Sequence, residues 1–462
     1  MIYRYIVAGL CLLLSVQVHA AAPATHEYLL DNGLKLIVRE DHRAPVVVSQ
    51  VWYKVGASYE HSGITGISHV LEHMMFKGTR KHGPNEFSRI IAENGGRENA
   101  FTGRDYTAYH QQLEKSRLPV SFELEADRMR NLLLKQEEFA KEVRVVMEER
   151  RLRTDDDPES LTYEQFNGAA FYNSAYRNPV IGWMDDLENL HIDDLKAWYK
   201  TWYASNNATV VVVGDVEPEQ VLKLAKKHFG TLKPASIPAL KPRNEPAQTG
   251  QRRITVKAPA ELPYLLMGYP VPVLKSARPD AAWEPYALEV LSALLSGGDS
   301  ARLARHLVRD QQIAASASAG YRLTARASDL FLIDGTPARG HTIEELEQAL
   351  RGEIRQLQET VASEAELARI KTQVVANDVY QRDSVFGQAM RIGTLETVGL
   401  DWRLLDSYVD NINAVTAEQV RQVARTYLIE DRLTVAVLEP LPLDPDKPRA
   451  ASGTAGGHNA IH

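Results

Sequence analysis

The sequence predicts an α+β protein built as two homologous halves. Three observations lead there: an internal repeat, a proline-rich joint between the repeats, and strand and helix patterns mixed within each half. The repeat has an offset of about 220 residues. Trp202-Tyr203 leading to Val210-Val211-Val212-Val213 matches Thr426-Tyr427 leading to Thr434-Val435-Ala436-Val437, with the intervening length preserved. Gly66 to His73, running on to Gly78, falls against Tyr286 to Ala293, running on to Gly298. In this second pair the apolar positions persist, while His69, Glu72 and His73 become Glu289, Ser292 and Ala293. Shared positions are expected to serve packing, and unshared ones chemistry.

In chain order, Met1-Ile2-Tyr3-Arg4, the apolar run Tyr5 to Val16 and Val18-His19-Ala20 have the layout of a secretory signal peptide, residues 1–20. The run is shorter than the ~20 residues a bilayer requires, so no stable membrane span is expected after cleavage. Cys11, the only cysteine, lies inside this segment behind Leu10, where a lipoprotein signal would want a small residue. A mature chain without cysteine suits an oxidising compartment, here a periplasm, and leaves histidine and carboxylate as the metal ligands. Tyr28-Leu29-Leu30 and Leu34 to Val38 flank Asp31-Asn32-Gly33 as a hairpin would. Strand Val46 to Val55 follows, then helices, including a long charged helical stretch from Glu123 to Arg153, and a buried strand at Thr209 to Val213. Pro234, Pro238, Pro242 and Pro246 mark an extended joint. The expected organisation is therefore a catalytic domain at 21–235, a linker at 236–250, a homologous non-catalytic domain at 251–440 and a disordered tail at 441–462. Net charge is −7, from 53 Lys+Arg against 60 Asp+Glu, which speaks against a nucleic-acid partner.

Chemistry concentrates at His69-Val70-Leu71-Glu72-His73. A spacing of four stacks both imidazoles on one helix face within reach of one cation, with Glu72 beside them. Zinc takes imidazole and carboxylate in a tetrahedral shell, three protein ligands and one open position in catalytic sites. The third ligand is sought in Glu142 to Glu149, where residues 142 and 149 stand two helical turns apart. Val145 and Val146 place this stripe toward the interior, and buried carboxylates need a cation or a donor. Glu149 is expected as the ligand and Glu142 as acceptor for a ligand imidazole. Glu148 is the rival ligand, and salt bridges to Arg144, Arg150 or Arg151 are the ordinary alternative.

His69-x-x-Glu72-His73, with Glu149 after 75 intervening residues and Glu142 seven before it, resembles the inverted zinc motif of the pitrilysin and insulysin peptidases. The likeness is to the half-length branch that includes mitochondrial processing peptidase and bacterial periplasmic zinc proteases, and it extends over Gly95-Gly96, Asn99-Ala100-Phe101-Thr102 and Val145 to Arg151. It implies two homologous domains, each a mainly antiparallel sheet packed with helices, closing on a chamber for unfolded peptides. One Zn²⁺ per chain, held by His69, His73 and Glu149, and Glu72 as general base follow from it. Asn99, Ala100 and Phe101 would form an edge strand that binds peptide substrates through its backbone. The family also carries an Arg and a Tyr, seven apart in the second domain, that grip substrate and stabilise the oxyanion. Arg309 fits the first, but Ser316 stands at the second. That departure implies a heterodimer with a homologous, zinc-lacking subunit carrying Arg and Tyr, or a homodimer. A non-catalytic scaffold or binding subunit is the competing expectation.

Overall fold

The computed structural model describes residues 24–443. The expected signal segment and the tail beyond 443 lie outside the described residues. The first half runs β1 (Thr25–Leu29), β2 (Lys35–Glu40), β3 (Val46–Tyr53), α1 (Ile67–Met74), α2 (Glu86–Glu93), β4 (Arg97–Thr102), β5 (Thr107–Glu114), α3 (Leu118–Asn131), α4 (Gln136–Arg150), α5 (Pro158–Ala170), α6 (Met184–Asn189), α7 (Ile192–Trp202), β6 (Ala208–Gly214) and α8 (Pro218–His228). The second runs β7 (Arg252–Pro259), β8 (Tyr264–Val271), α9 (Glu284–Ser296), β9 (Ala314–Gly320), β10 (Asp329–Pro337), α10 (Ile343–Glu359), α11 (Glu364–Asp383), α12 (Val385–Thr397), α13 (Leu404–Ala414), α14 (Ala417–Tyr427) and β11 (Thr434–Leu441). The sheets are ordered β1-β2-β6-β3-β5-β4 and β7-β11-β8-β10-β9. In each, one pair is parallel, β2 with β6 and β7 with β11, and the rest are antiparallel. Apart from β1, the sheets superimpose strand for strand in topology. The matched segments of the repeat are α7 with β6 against α14 with β11, and α1 against α9.

The four valines of β6 do not alternate with polar residues because both faces of this central strand are covered. Val210 and Val212 join the core with Val51, Leu71 and Phe122 of their own half. On the other face Val211 and Val213, with Ile37, Val48 and Trp52, pack against Ala389 and Ile392 of α12 and against Trp402, all from the second half. The exchange is mutual: Phe166 and Ala170 of α5 pack on Val256, Leu266, Ala436 and Leu438 of the second sheet. Burial of Ile392, Trp402 and Phe166 at ~1.5–3 kcal/mol each outweighs exposed ion pairs such as Arg43–Asp383, worth ~0–1 kcal/mol. The halves are thus held together mainly by two exchanged helices.

Two features differ from the sequence reading. The expected helical stretch 123–153 is broken: Leu132 leaves α3 with ψ 134°, its N–H donates to the Tyr199 hydroxyl at 3.2 Å, and Leu133 N–H donates to Gly78 C=O at 3.0 Å. These partners come from distant segments, so charge pattern alone did not reveal the break. The stretch ends in a π-helical turn, Arg151–Asp155. The proline-rich joint has no regular element, yet it is fastened to the first half. Asn206 pairs with both Ala235 N–H and C=O at 3.0 and 2.8 Å, and the Glu245 carboxylate accepts from the N–H groups of Tyr172, Asn173 and Ser174 at 2.5, 2.9 and 2.8 Å.

Candidate metal centre

Helix α1 starts at a glycine crossing. Gly66 has φ +86°, and a Cβ there would stand 2.6 Å from Ile181 C=O; Gly182, φ +90°, would meet Thr65 C=O at 2.5 Å. Glycine at both positions lets the two segments touch and fixes where α1 begins. Beneath this N-terminus lies Glu60, 1% exposed, accepting from Gly66 N–H at 2.8 Å and Ser68 N–H at 2.9 Å. Burial pushes its carboxyl up to about 7, against the pull of those two bonds.

One turn on, His69 and His73 have ring centroids 4.8 Å apart. Glu149 Oε2, from α4, lies 3.8 Å from His69 Nε2 and 3.6 Å from His73 Nε2. One ligand atom from each of the three residues falls within 4.8 Å of the others. A tetrahedral zinc shell with bonds of ~2.0–2.2 Å separates its ligand atoms by roughly 3.4 Å, so a small contraction would suffice. Glu142 Oε2 lies 3.2 Å from His73 Nδ1, leaving Nε2 toward the centre, and Glu142 Oε1 accepts from Lys77 Nζ at 2.8 Å. Burial disfavours the His73 imidazolium, but Glu149, Glu72 and Glu142 outweigh it and hold its pKa above the ordinary value. The hydrogen bond from His73 holds Glu149 below the usual carboxylate range. The donor set therefore carries surplus negative charge at its centre and fits a cation.

The helical stripe assumed for α4 needs one correction. Val146 is buried but Val145 is 48% exposed. At 3.6 residues per turn the buried arc runs through 139, 142, 146, 149 and 150, and position 145 falls off its far edge. Glu148, the rival ligand, faces solvent and pairs with Arg151 at 3.0 Å. Arg150 is buried and engaged with Glu164 at 2.7 Å. The cation on Glu149 is instead Arg153, whose Nη1 meets Oε1 at 2.7 Å.

Glu72 is turned toward β4, where Thr102 Oγ1 donates to its Oε2 at 2.5 Å; burial raises its pKa and this bond opposes the rise. Strand β4 is one edge of the first sheet and, among the described residues, pairs only with β5. Asn99, Ala100, Phe101 and Thr102 line the cavity beside the centre. The Phe101 ring, however, packs edge-on against Trp52 at 5.4 Å, on the sheet face opposite Thr102. Only its backbone is placed to meet a ligand.

The cavity, about 1750 Å³, lies between the halves. His69, Glu72, His73 and Glu149 stand on one wall, and Glu289, Ser292, Ser318, Tyr321 and Tyr408 on the other. The structure does not bring Arg309 or Ser316 to it: both are exposed and neither lines the cavity. Tyr321 does line it, but its hydroxyl donates to Pro272 C=O at 2.7 Å. Glu60, Lys77 and Arg153 were not foreseen. Arg153 alone had a local signal, lying four residues after Glu149.

Comparison with known proteins identifies the family. The sequence model described as Insulinase (Peptidase family M16) matches residues 35–182, and that described as Peptidase M16 inactive domain matches 189–374. Zinc protease PqqE of Helicobacter pylori is 32% identical, over 92% of this chain and 96% of that protein. The crystal structure of a protease from Helicobacter pylori aligns with TM-score 0.85 at 31% identity, covering 90% of this chain and 100% of that one. A peptidase M16 inactive domain from Pseudomonas fluorescens shares the fold, with TM-score 0.80 at 15% identity over 91% and 99% of the two chains. Two consecutive domain matches and a full-length zinc-protease relative place this chain in the M16 family of peptidases, the insulinase and pitrilysin group.

Proposed function

We propose that the chain is a zinc-dependent endopeptidase that hydrolyses unfolded peptides or small polypeptides, exported to a periplasm. The observation that supports this best is the convergence of His69, His73 and Glu149 with Glu72 alongside, on a cavity wall that ends in a free strand edge. Zinc, when bound, would supply Lewis acidity, lowering the pKa of a water toward ~7 and polarising the scissile carbonyl. The chain does the rest. Glu72, which is not a ligand, takes the proton from the attacking water and delivers it to the leaving amine. Thr102 holds one Glu72 oxygen and leaves the other for that transfer. Glu142 orients His73, and Lys77 anchors Glu142. An extended peptide would add to β4 through backbone hydrogen bonds, which makes recognition largely indifferent to sequence and leaves selectivity to the opposite wall.

With Arg309 and Ser316 both exposed and outside the cavity, this chain supplies it no Arg and Tyr from those positions, which supports a chain that works beside a homologous, zinc-lacking subunit carrying them. Reconstitution with such a subunit should then raise turnover well above that of the chain alone, and robust activity of a pure monomer would count against the partner.

The first test is zinc content together with cleavage of a quenched fluorescent peptide library, beside Glu72→Gln and with chelator. One zinc per chain, activity lost to chelation, and a fall on the order of 10²–10⁴ in Glu72→Gln with zinc retained are expected. A folded protein that binds no zinc would overturn the catalytic reading in favour of a non-catalytic binding subunit.

A further inference from the structure

We propose that Arg153 contacts substrate at this site, its guanidinium donating a hydrogen bond to the oxyanion that develops on the scissile carbonyl. The assignment rests on the peptidase reading above and names a donor within the zinc-bearing half itself.

The backbone sets the position. After α4 the chain enters the π-helical turn Arg151–Asp155, a wider winding of the kind also found at Leu303–Asp310 and often met at functional sites. Within it, neighbouring arginines take separate tasks. Arg150 is buried against Glu164 and Gly182 C=O, and Arg151 pairs outward with Glu148. Arg153 turns to the cavity, where Nη1 meets Glu149 Oε1 at 2.7 Å while Oε2 of the same carboxylate faces the two imidazoles. The guanidinium thus flanks the donor set with one carboxylate between them. Its side chain is 69% exposed, and an arginine has five N–H donors, so donors remain for a ligand.

Of the other arginines of the cavity wall, Arg177 is exposed and pairs with no carboxylate of the donor set, and the remaining three are engaged elsewhere. Arg104 and Arg322 share Asp329, and Arg391 pairs with Asp378. Among the described residues lining the cavity, Arg153 is the cation that touches a carboxylate of the donor set. A planar fork already oriented by Glu149 needs little reorganisation to meet a charge that appears only in the transition state. Were Arg153 merely orienting the Glu149 carboxylate, its loss would weaken zinc retention and leave the loaded site's chemistry intact. The two roles therefore separate in measurement.

The experiment compares wild type with Arg153→Gln and Arg153→Lys at saturating zinc. The readouts are kcat and KM on a fluorogenic peptide, zinc affinity by competition with a chelating dye, and calorimetric affinity for a phosphinic peptide against its matched amide in the Glu72→Gln background. A phosphinate presents a tetrahedral anion where the oxyanion forms. Arg153→Gln should lose roughly 10²-fold in kcat with KM nearly constant, as removal of an oxyanion donor does. The phosphinic peptide should bind at least tenfold more weakly, the matched amide and zinc should hold within threefold, and Arg153→Lys should recover part of the loss. Equal weakening of phosphinate and amide, or a kcat deficit that vanishes when zinc is raised, would overturn the assignment. If zinc-loaded wild type cleaves nothing even when reconstituted with a homologous subunit, the peptidase reading fails, and the phosphinate comparison still decides the role of Arg153.

Discussion

Glu60 offers a direct test of how the start of α1 is held. It is 1% exposed, and burial moves its carboxyl from the ordinary 4.5 to about 7 although two helix N–H groups pull the other way. The folded-state pKa stands above the unfolded one, so the folded protein keeps a proton that the unfolded chain loses between those values. The associated stability is complete below about pH 4.5 and disappears as pH rises through about 7. At ~1.4 kcal/mol per pH unit over that interval, the loss between pH 5 and pH 8 is about 2 to 3 kcal/mol. Glu60→Gln removes this titration but sets an amide donor against one of the two N–H groups, a constant cost of ~1–3 kcal/mol. Urea unfolding of both proteins in chelator, at pH 5, 6, 7 and 8, separates the contributions because only the first varies. The variant should be the less stable protein at pH 5 and should regain about 2 to 3 kcal/mol relative to wild type by pH 8. A difference that stays constant across the series would mean that Glu60 is already ionised at pH 5 and that the helix N–H groups outweigh burial.

Two further outcomes follow from contacts already described. Glu142→Gln removes the charge shared by His73 Nδ1 and Lys77, and zinc affinity measured by dye competition should fall ~10–100-fold while the fold is unchanged; an unaltered affinity would refute the orienting role. Gly393 of α12 lies where a Cβ would stand 2.0 Å from Trp52 Cε2, and Trp52 is fully buried with its indole N–H committed to Gln50 at 2.8 Å. Gly393→Ala should therefore destabilise by at least ~1–3 kcal/mol in urea, and a wild-type midpoint would show that α12 does not hold the halves together.

What could be read from the chain depended on how local its cause is. His69, Glu72 and His73 lie within one helical turn and Glu142 and Glu149 within two, so spacing alone placed each pair on a common face. The duplication was readable because the Val210 to Val213 run and its echo at Thr434 to Val437 sit at a fixed distance behind a helix end. Glu60 and the meeting of Gly66 with Gly182 were not readable, because each depends on a segment brought in by the fold. The helix exchange escaped for a different reason. α5 and α12 carry apolar residues as any core helix does, and nothing in their own sequence says which sheet will receive them. Arg309 shows the converse limit, where register along the chain matched a family position but the described fold leaves the residue exposed and away from the cavity.

The duplication also explains why one wall carries the proposed metal ligands and the other does not. α1 and α9 face the cavity from equivalent places, and each buries its sheet-facing side: Val70, Leu71 and Met74 in one, Val290, Leu291 and Leu294 in the other. Those positions are fixed by packing density, where a change of a single methylene is felt. The cavity-facing positions have no such constraint, so Glu289, Ser292 and Ala293 stand where the other helix carries His69, Glu72 and His73. Glu289 is raised by burial to about 7, with the Tyr408 hydroxyl at 3.4 Å. On the proposed reading, hydrolysis of one bond needs a single activated water, so a second ligand set would add nothing, and the second wall would be free to shape the space a peptide enters. The exchanged helices then matter for chemistry as well as stability. α12 backs the sheet that bears β4, and α5, which continues from the Arg153 turn, lies on the sheet that forms the opposite wall. Each wall of the cavity is thereby backed by a helix from the other half, so the packing that joins the halves also sets the position of the metal-facing wall against the wall that lacks ligands.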